Sequence, residues 1–196
     1  LRTDGIEHFN PVSLRPEMKK YTIFVDGISK SLAATGVRVG WGLGPAEIIS
    51  RMKSIIGHIG AWAPRAEQIA TAKFLENDQA INQYLAELKQ KIDLRFNALY
   101  NGFEALKSKG FPVQIIAPEG AIYLTAQFAL IGKKQLDGKT IETTADISSF
   151  LINRAQLALV PFTAFGCPSG TDWYRISVGT LNENEIPDLL LKLENA

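Results

Sequence analysis

Val25-Asp26-Gly27-Ile28-Ser29-Lys30-Ser31-Leu32-Ala33-Ala34-Thr35-Gly36-Val37-Arg38-Val39-Gly40-Trp41 is the stretch on which the reading of this 196-residue chain turns. It sets Lys30 and Arg38 eight residues apart, between an apolar run and a glycine-rich one. The run before it, Tyr21-Thr22-Ile23-Phe24-Val25, is β-branched and aromatic and predicts a buried strand ending at the turn signal Asp26-Gly27. Val37 to Leu43 alternates with period two around interleaved glycines, which predicts a strand whose backbone approaches something closely. A lysine forms an imine with an aldehyde once it is partly deprotonated, which burial or a neighbouring cation achieves. A guanidinium offers a planar fork of donors that matches phosphate, and flanking glycines let backbone come near a ligand. Together the two residues point to a ligand that is both an aldehyde and a phosphate. Taken singly, each has a plainer reading: a solvated lysine at a turn, and an arginine paired with a surface carboxylate.

Outward from that stretch, helices and strands mix throughout, so the expected class is α/β or α+β. Pro45 opens a helix with Ile48, Ile49, Met52, Ile55, Ile56 and Ile59 on one face. A second helix is expected from Pro64 to Asn77, and a long one from Asp78 to Lys109. The long helix carries apolar residues at Ile81, Leu85, Leu88, Ile92, Phe96, Leu99, Phe103 and Leu106, and Gly110 ends it. At 1.5 Å per residue it is roughly 48 Å long, which predicts a link between two domains, residues 1–77 and 78–196. Val113 to Ala117 and Ala121 to Phe128, around Pro118-Glu119-Gly120, predict an antiparallel pair joined by a tight turn. Further on come a helix from Ala145 to Gln156 and a strand from Leu157 to Val160. A loop from Phe162 to Asp172, a strand from Trp173 to Val178 and a helix from Asn182 to Leu193 complete the chain.

Composition narrows the class. Hydrophobic residues make up 46% and charged residues 21%, as in ordinary globular proteins. A formal net charge of +1 argues against a nucleic-acid surface. One cysteine, Cys167, excludes an internal disulfide framework and fits a reducing compartment. No run is apolar enough to span a membrane, and the charged first twenty residues do not read as a signal peptide. The opening Leu1-Arg2-Thr3-Asp4-Gly5, without an initiator methionine, reads as the start of a C-terminal part of a longer protein, or of a chain preceded by a tag remnant.

Arg175 is the third candidate. It stands in the mostly apolar strand Trp173-Tyr174-Arg175-Ile176-Ser177-Val178, where a charge needs a partner or a ligand. A carboxylate held by two parallel hydrogen bonds would serve, and so would a structural ion pair or an edge facing water. Other features carry less. No histidine lies near Cys167 in sequence. His58 falls late in a helix, where a cation is favoured for structural reasons. Two histidines and one cysteine argue against a zinc site. Gly40-Trp41-Gly42-Leu43-Gly44 has the wrong spacing for a dinucleotide fingerprint.

The segment around Lys30 resembles the Schiff-base region of the class I and II aminotransferases. The resemblance covers nearly the whole chain. Pro118-Glu119-Gly120-Ala121-Ile122-Tyr123-Leu124 is similar to the family's Pro-Glu-Gly-Ala-aromatic-Tyr stretch. Leu159-Val160-Pro161 with Ala164-Phe165-Gly166 is similar to its Val-Pro-Gly-x-x-Phe-Gly stretch. Arg175-Ile176-Ser177 is similar to the strand with its substrate-binding arginine. The resemblance implies the C-terminal part of a fold-type I enzyme that uses pyridoxal 5'-phosphate. It makes Lys30 the internal-aldimine lysine and proton carrier, Arg38 the phosphate ligand and Arg175 the ligand of the substrate α-carboxylate. It also implies a cytoplasmic homodimer that moves nitrogen between an amino acid, aspartate or a similar one, and a 2-oxo acid by a ping-pong route.

Two departures accompany the resemblance. Many relatives have a serine three residues before the lysine, where this chain has Gly27, and Ser29 is the nearest hydroxyl. The family's N-terminal half, with its asparagine and Asp-x-x-Tyr segments, has no counterpart here, so the chain alone is expected to have little activity. Carbon–sulfur lyase or decarboxylase chemistry on the same scaffold is a rival, separated by a transamination assay with a 2-oxo acid acceptor. A non-catalytic aminotransferase-like ligand-binding domain is another, and a DNA-binding segment upstream would reveal it.

Overall fold

The computed structural model describes Gly5 and residues 7–196. The chain divides into two compact units, Leu1–Lys89 and Gln90–Ala196.

In the first unit, Asn10 caps a single-turn helix, α1 (Pro11–Leu14), by accepting from the N–H groups of Val12 and Ser13. A 3-10 turn (Pro16–Lys20) leads to β1 (Phe24–Gly27). A short helix, α2 (Ile28–Ser31), and a 3-10 turn (Thr35–Val37) lead to β2 (Gly40–Leu43). β1 and β2 form an antiparallel pair with Phe24 opposite Leu43 and Gly27 opposite Gly40. The chain therefore leaves the ribbon at Gly27 and re-enters it at Gly40, and residues 28–39 sit at that end. Two helices follow, α3 (Ala46–Ile59) and α4 (Arg65–Leu75).

Three expectations need correction here. The first strand starts at Phe24 rather than Tyr21, and it is not buried: Val25 is 73% exposed. A two-stranded ribbon has no flanking strands, and α3 packs against it at Gly42, where an added Cβ would lie 3.5 Å from Met52 Cε. The second strand is shorter than the period-two pattern, because Arg38 takes left-handed backbone (φ 60°) and interrupts it. Finally, the apolar arc of α3 is wider than the contact it makes. Ile49, Met52 and Ile56 are half-buried, while Ile48, Ile55 and Ile59 are exposed.

The long helix, α5 (Asp78–Ser108), passes through the boundary between the units. Asn77 Oδ1 accepts from the Ala80 N–H at its start. Only its C-terminal half is fully buried, at Ile92, Phe96, Leu99, Phe103 and Leu106. These residues belong to the core of the second unit. That core packs α5, α6 (Thr144–Ala155) and α7 (Ile186–Glu194) around an antiparallel sheet in the order β3-β4-β6-β5. Its strands are β3 (Val113–Ile116), β4 (Tyr123–Phe128), β5 (Val160–Pro161) and β6 (Trp173–Ser177). Leu124, Ala126 and Phe128 alternate inward from β4, and Tyr174 and Ile176 from β6. Phe128 meets Phe103 and Tyr174 edge to face, with ring centroids 5.9 and 5.7 Å away.

The connection between β3 and β4 is not a tight turn, since Ile116 pairs with Thr125 and residues 117–124 lie between them. β5 is confined to Val160–Pro161, which pair with Arg175 and Tyr174, rather than running from Leu157. The expected loop from Phe162 opens with a 3-10 turn, Phe162–Phe165. Between β4 and α6 lies a hairpin that the sequence reading did not anticipate, with Lys134 bridged to Thr140.

Candidate functional site

In the first unit, residues 28–38 form a compact loop. Ala34 N–H donates to Ile28 O at 3.3 Å and Ala33 N–H to Lys30 O at 3.3 Å. Ser31 Oγ donates to Gly27 O at 3.2 Å, closing the single turn that carries Lys30. Both Lys30 and Arg38 are exposed, and neither has a carboxylate partner within 4.0 Å among the described residues. Arg38 Nη1 donates to Thr35 O at 2.9 Å. That bond ties the side chain back over its own turn and leaves the other guanidinium donors available. The Ser29 hydroxyl, half-buried, makes no hydrogen bond among the described residues.

Two residues of this loop hold positive φ without being glycine, Ala33 at 50° and Arg38 at 60°. Such backbone costs about 1–2 kcal/mol per residue and concentrates at functional sites. Gly27 is explained by its neighbours. A Cβ there would lie 3.0 Å from Val39 O and 3.1 Å from Gly40 Cα, so a serine would push the two strands apart. The cross-strand Gly40 is equally confined, with Asp26 O 2.9 Å from its would-be Cβ. The loop carries one amine, one guanidinium and one hydroxyl, and the cavity beside β2, α3 and α4 is lined by Arg38 but by neither Lys30 nor Ser29.

In the second unit, Arg175 lies in β6, opposite Thr125 of β4 and Val160 of β5. Its neighbours Tyr174 and Ile176 point into the core, so Arg175 is on the opposite face. Its Cζ stands 4.2 Å from the centroid of the Tyr123 ring and 4.6 Å from that of Phe165. Its Nε is buried and has no hydrogen-bond partner among the described residues. Rings at this distance attract a guanidinium but accept none of its in-plane hydrogen bonds. Gln127 Nε2 donates to both Asp172 oxygens at 3.0 Å, fixing the loop that enters β6. On the core face beside Arg175, Tyr174 donates to Thr144 O at 2.8 Å. Burial pushes the Tyr174 phenol above its ordinary value, opposed by its hydrogen bond with Ser148 and reinforced by Asp172.

Sequence reasoning missed Arg95. It donates from Nη1 to Val178 O at 3.0 Å, and its Nε is also buried without a partner among the described residues. The signal was present, since residue 95 falls between Ile92, Phe96 and Leu99 on the buried face of α5. Cys167 is exposed and unpaired. Among the described residues no group of three or more His, Cys, Asp or Glu is placed to hold a metal ion, and no helix is long and apolar enough to cross a membrane.

The aspartate aminotransferase of Rhizobium meliloti (strain 1021) is 31% identical over 194 residues, which are 98% of this chain and 45% of that protein. A probable aspartate/prephenate aminotransferase of Rickettsia bellii is 30% identical over 197 residues, 98% of this chain and 46% of the relative. The crystal structure of the Rhizobium meliloti aspartate aminotransferase superposes with a TM-score of 0.85, covering 98% of this chain and 46% of the other at 30% identity. Aspartate aminotransferase from Thermus thermophilus with maleate superposes at 0.81 and 25% identity, over 98% of this chain and 44% of that one. The chain thus spans about half the length of the curated relatives it matches, and its fold is that of the C-terminal portion of fold type I. With the family's sequence profile matching residues 5–193, the chain belongs to the aminotransferases of class I and II, a family generally dependent on pyridoxal phosphate.

Proposed function

We propose that the whole protein transfers an amino group from an aspartate-like amino acid to a 2-oxo acid by a ping-pong route, using pyridoxal 5'-phosphate. In this reading residues 1–77 belong to the large cofactor-binding domain, and residues 78–196 supply the linking helix and the small domain. The protein works as a cytoplasmic homodimer. When bound, the cofactor supplies an electron sink for the carbanion at the substrate Cα.

The chain's own residues divide the remaining work. Lys30 provides the amine that holds the cofactor aldehyde, and its Nζ moves the proton at the substrate Cα. Arg38 binds the phosphate through the donors that Thr35 leaves free. The unbonded Ser29 hydroxyl adds a donor that Gly27 does not offer. Arg175 binds the α-carboxylate through in-plane donors that the rings of Tyr123 and Phe165 do not engage.

The observation that carries the reading is the buried, unbonded Nε of Arg175. A buried donor without a partner is costly in a folded protein, and a carboxylate is the ligand that relieves it. The maleate of the Thermus thermophilus relative is a dicarboxylate, in keeping with an acidic substrate. Turnover by the 196-residue chain alone is expected to be low, because water competes for Lys30 and Arg38, both of which are exposed.

The test is chemical. Pyridoxal phosphate is added to the purified chain, the mixture is reduced with borohydride, and the adduct is located by peptide mass spectrometry. Adduct concentrated on Lys30, and diminished in Arg38→Ala, is the expected result. Labelling scattered evenly over the lysines would remove the support for Lys30 and Arg38 as a cofactor site in this chain.

A further inference from the structure

The second unit contains a cavity of about 270 Å³ that none of Lys30, Arg38 or Arg175 lines. It lies against α5, α6, α7, β3 and β4 and the hairpin between β4 and α6. Its floor is core: Leu106, Phe128 and Leu151 are each at most 3% exposed. Lys133, Lys134 and Arg154 also line it, and none has a carboxylate within 4.0 Å among the described residues. Leu136, 87% exposed near the hairpin tip, extends the apolar lining out toward solvent.

The two halves of this surface ask for different things. An apolar floor gives water few hydrogen-bond partners, so water is a poor occupant. Three cationic side chains in one lining, beside Ala196, favour a bound anion. Small-molecule sites combine such an apolar lining with a few convergent polar groups, and this volume lies near the small end of their range.

We propose that the cavity binds a small amphipathic monocarboxylate, its hydrocarbon body against Phe128 and Leu151 and its carboxylate among Lys133, Lys134 and Arg154. An anion without an apolar body makes no use of the floor, and a neutral apolar molecule leaves the cations unpaired.

The experiment is an amide NMR titration of the full chain with sodium octanoate and, separately, with octanamide. Octanoate is expected to give saturable shifts at Phe128, Leu130 and Leu151, with octanamide weaker by about fivefold, the scale of a single exposed ion pair. Changing Lys133, Lys134 and Arg154 together to Gln is expected to reduce octanoate affinity by at least about fivefold while leaving octanamide unchanged. Leu136→Ser, at an exposed position that the fold does not need, is expected to weaken both ligands. Equal affinity for the acid and the amide, an unaffected triple variant, or shifts gathered around Arg175 would each overturn the assignment. Because the readout includes neither the cofactor nor turnover, it stands or falls separately from transamination.

Discussion

Arg175 holds its guanidinium against two rings while its Nε stays buried and unbonded. Replacing it with Met keeps an apolar stem against both rings and removes the unsatisfied donor. Arg175→Met is therefore expected to change stability by less than about 1 kcal/mol in urea denaturation, since the lost ring attraction and the relieved donor oppose each other. A loss several times larger would make the guanidinium a structural element. Ala33 offers the opposite experiment: Ala33→Gly relieves left-handed backbone and is expected to gain up to about 1 kcal/mol. Tyr174→Phe removes one of two side-chain hydrogen bonds to Thr144 O, the other coming from Ser148 Oγ at 3.0 Å, and is expected to cost about 0.5–1.5 kcal/mol. The phenol's raised pKa adds a pH signature. Its stabilising share is complete below the ordinary value of 10.0 and is lost as pH rises through the raised value. The variant's alkaline limb should accordingly be the flatter one. At this scale the sequence was informative where chemistry clashed with surroundings, as for Arg175 in an apolar strand. It was silent on the strained Ala33 and on the two rings that frame Arg175, since these depend on backbone angles and on a loop folding back.

Helix α6 begins with a reciprocal cap: Asp146 N–H donates to Thr143 Oγ1, and the Asp146 carboxylate accepts from Thr143 N–H. The Thr143 hydroxyl, 2.8 Å away, is the main reason that the carboxyl is held below its ordinary value of 3.8, with the Glu142 N–H next. A lowered folded pKa means that the cap contributes fully above 3.8 and is lost as pH falls through the lowered value. The melting temperature should fall as pH drops below 3.8 and through the lowered value, and Asp146→Asn should remove part of that fall. Where α5 crosses α7, a Cβ on Gly102 would collide with the Leu190 side chain. Gly102→Ala should therefore cost about 1–3 kcal/mol by overpacking, despite its better helix propensity. The longer helices were legible from their periodicity, α5 ending one residue before the expected Lys109, but α7 begins at Ile186 rather than Asn182 and the single-turn α1 and α2 were not foreseen. The strands were less so. β1 and β5 are shorter than their apolar runs, because the residues that find a pairing partner set their length. The hairpin at Lys134–Thr140 carries no apolar alternation that would announce it.

At the scale of the molecule, burial is distributed unevenly. Among the described residues, the fully buried side chains of the first unit are Ile28, Val39 and Thr71, whereas the second holds the rings and aliphatics of a continuous core. Hydrogen exchange should register this. Amides of β4, β6 and the C-terminal half of α5 should exchange slowest, and those of β1 and β2 faster, as local opening there exposes little. The same unevenness has a temporal side during synthesis. The first unit leaves the ribosome before the second, with Val25, Ile55, Ile59 and Trp62 open to water. At about 5–20 residues per second, the roughly hundred residues that follow take on the order of 5–20 s to emerge. For that interval the sticky half of the chain is in the cell without the well-packed half, and it is in those seconds that a chaperone would have its substrate.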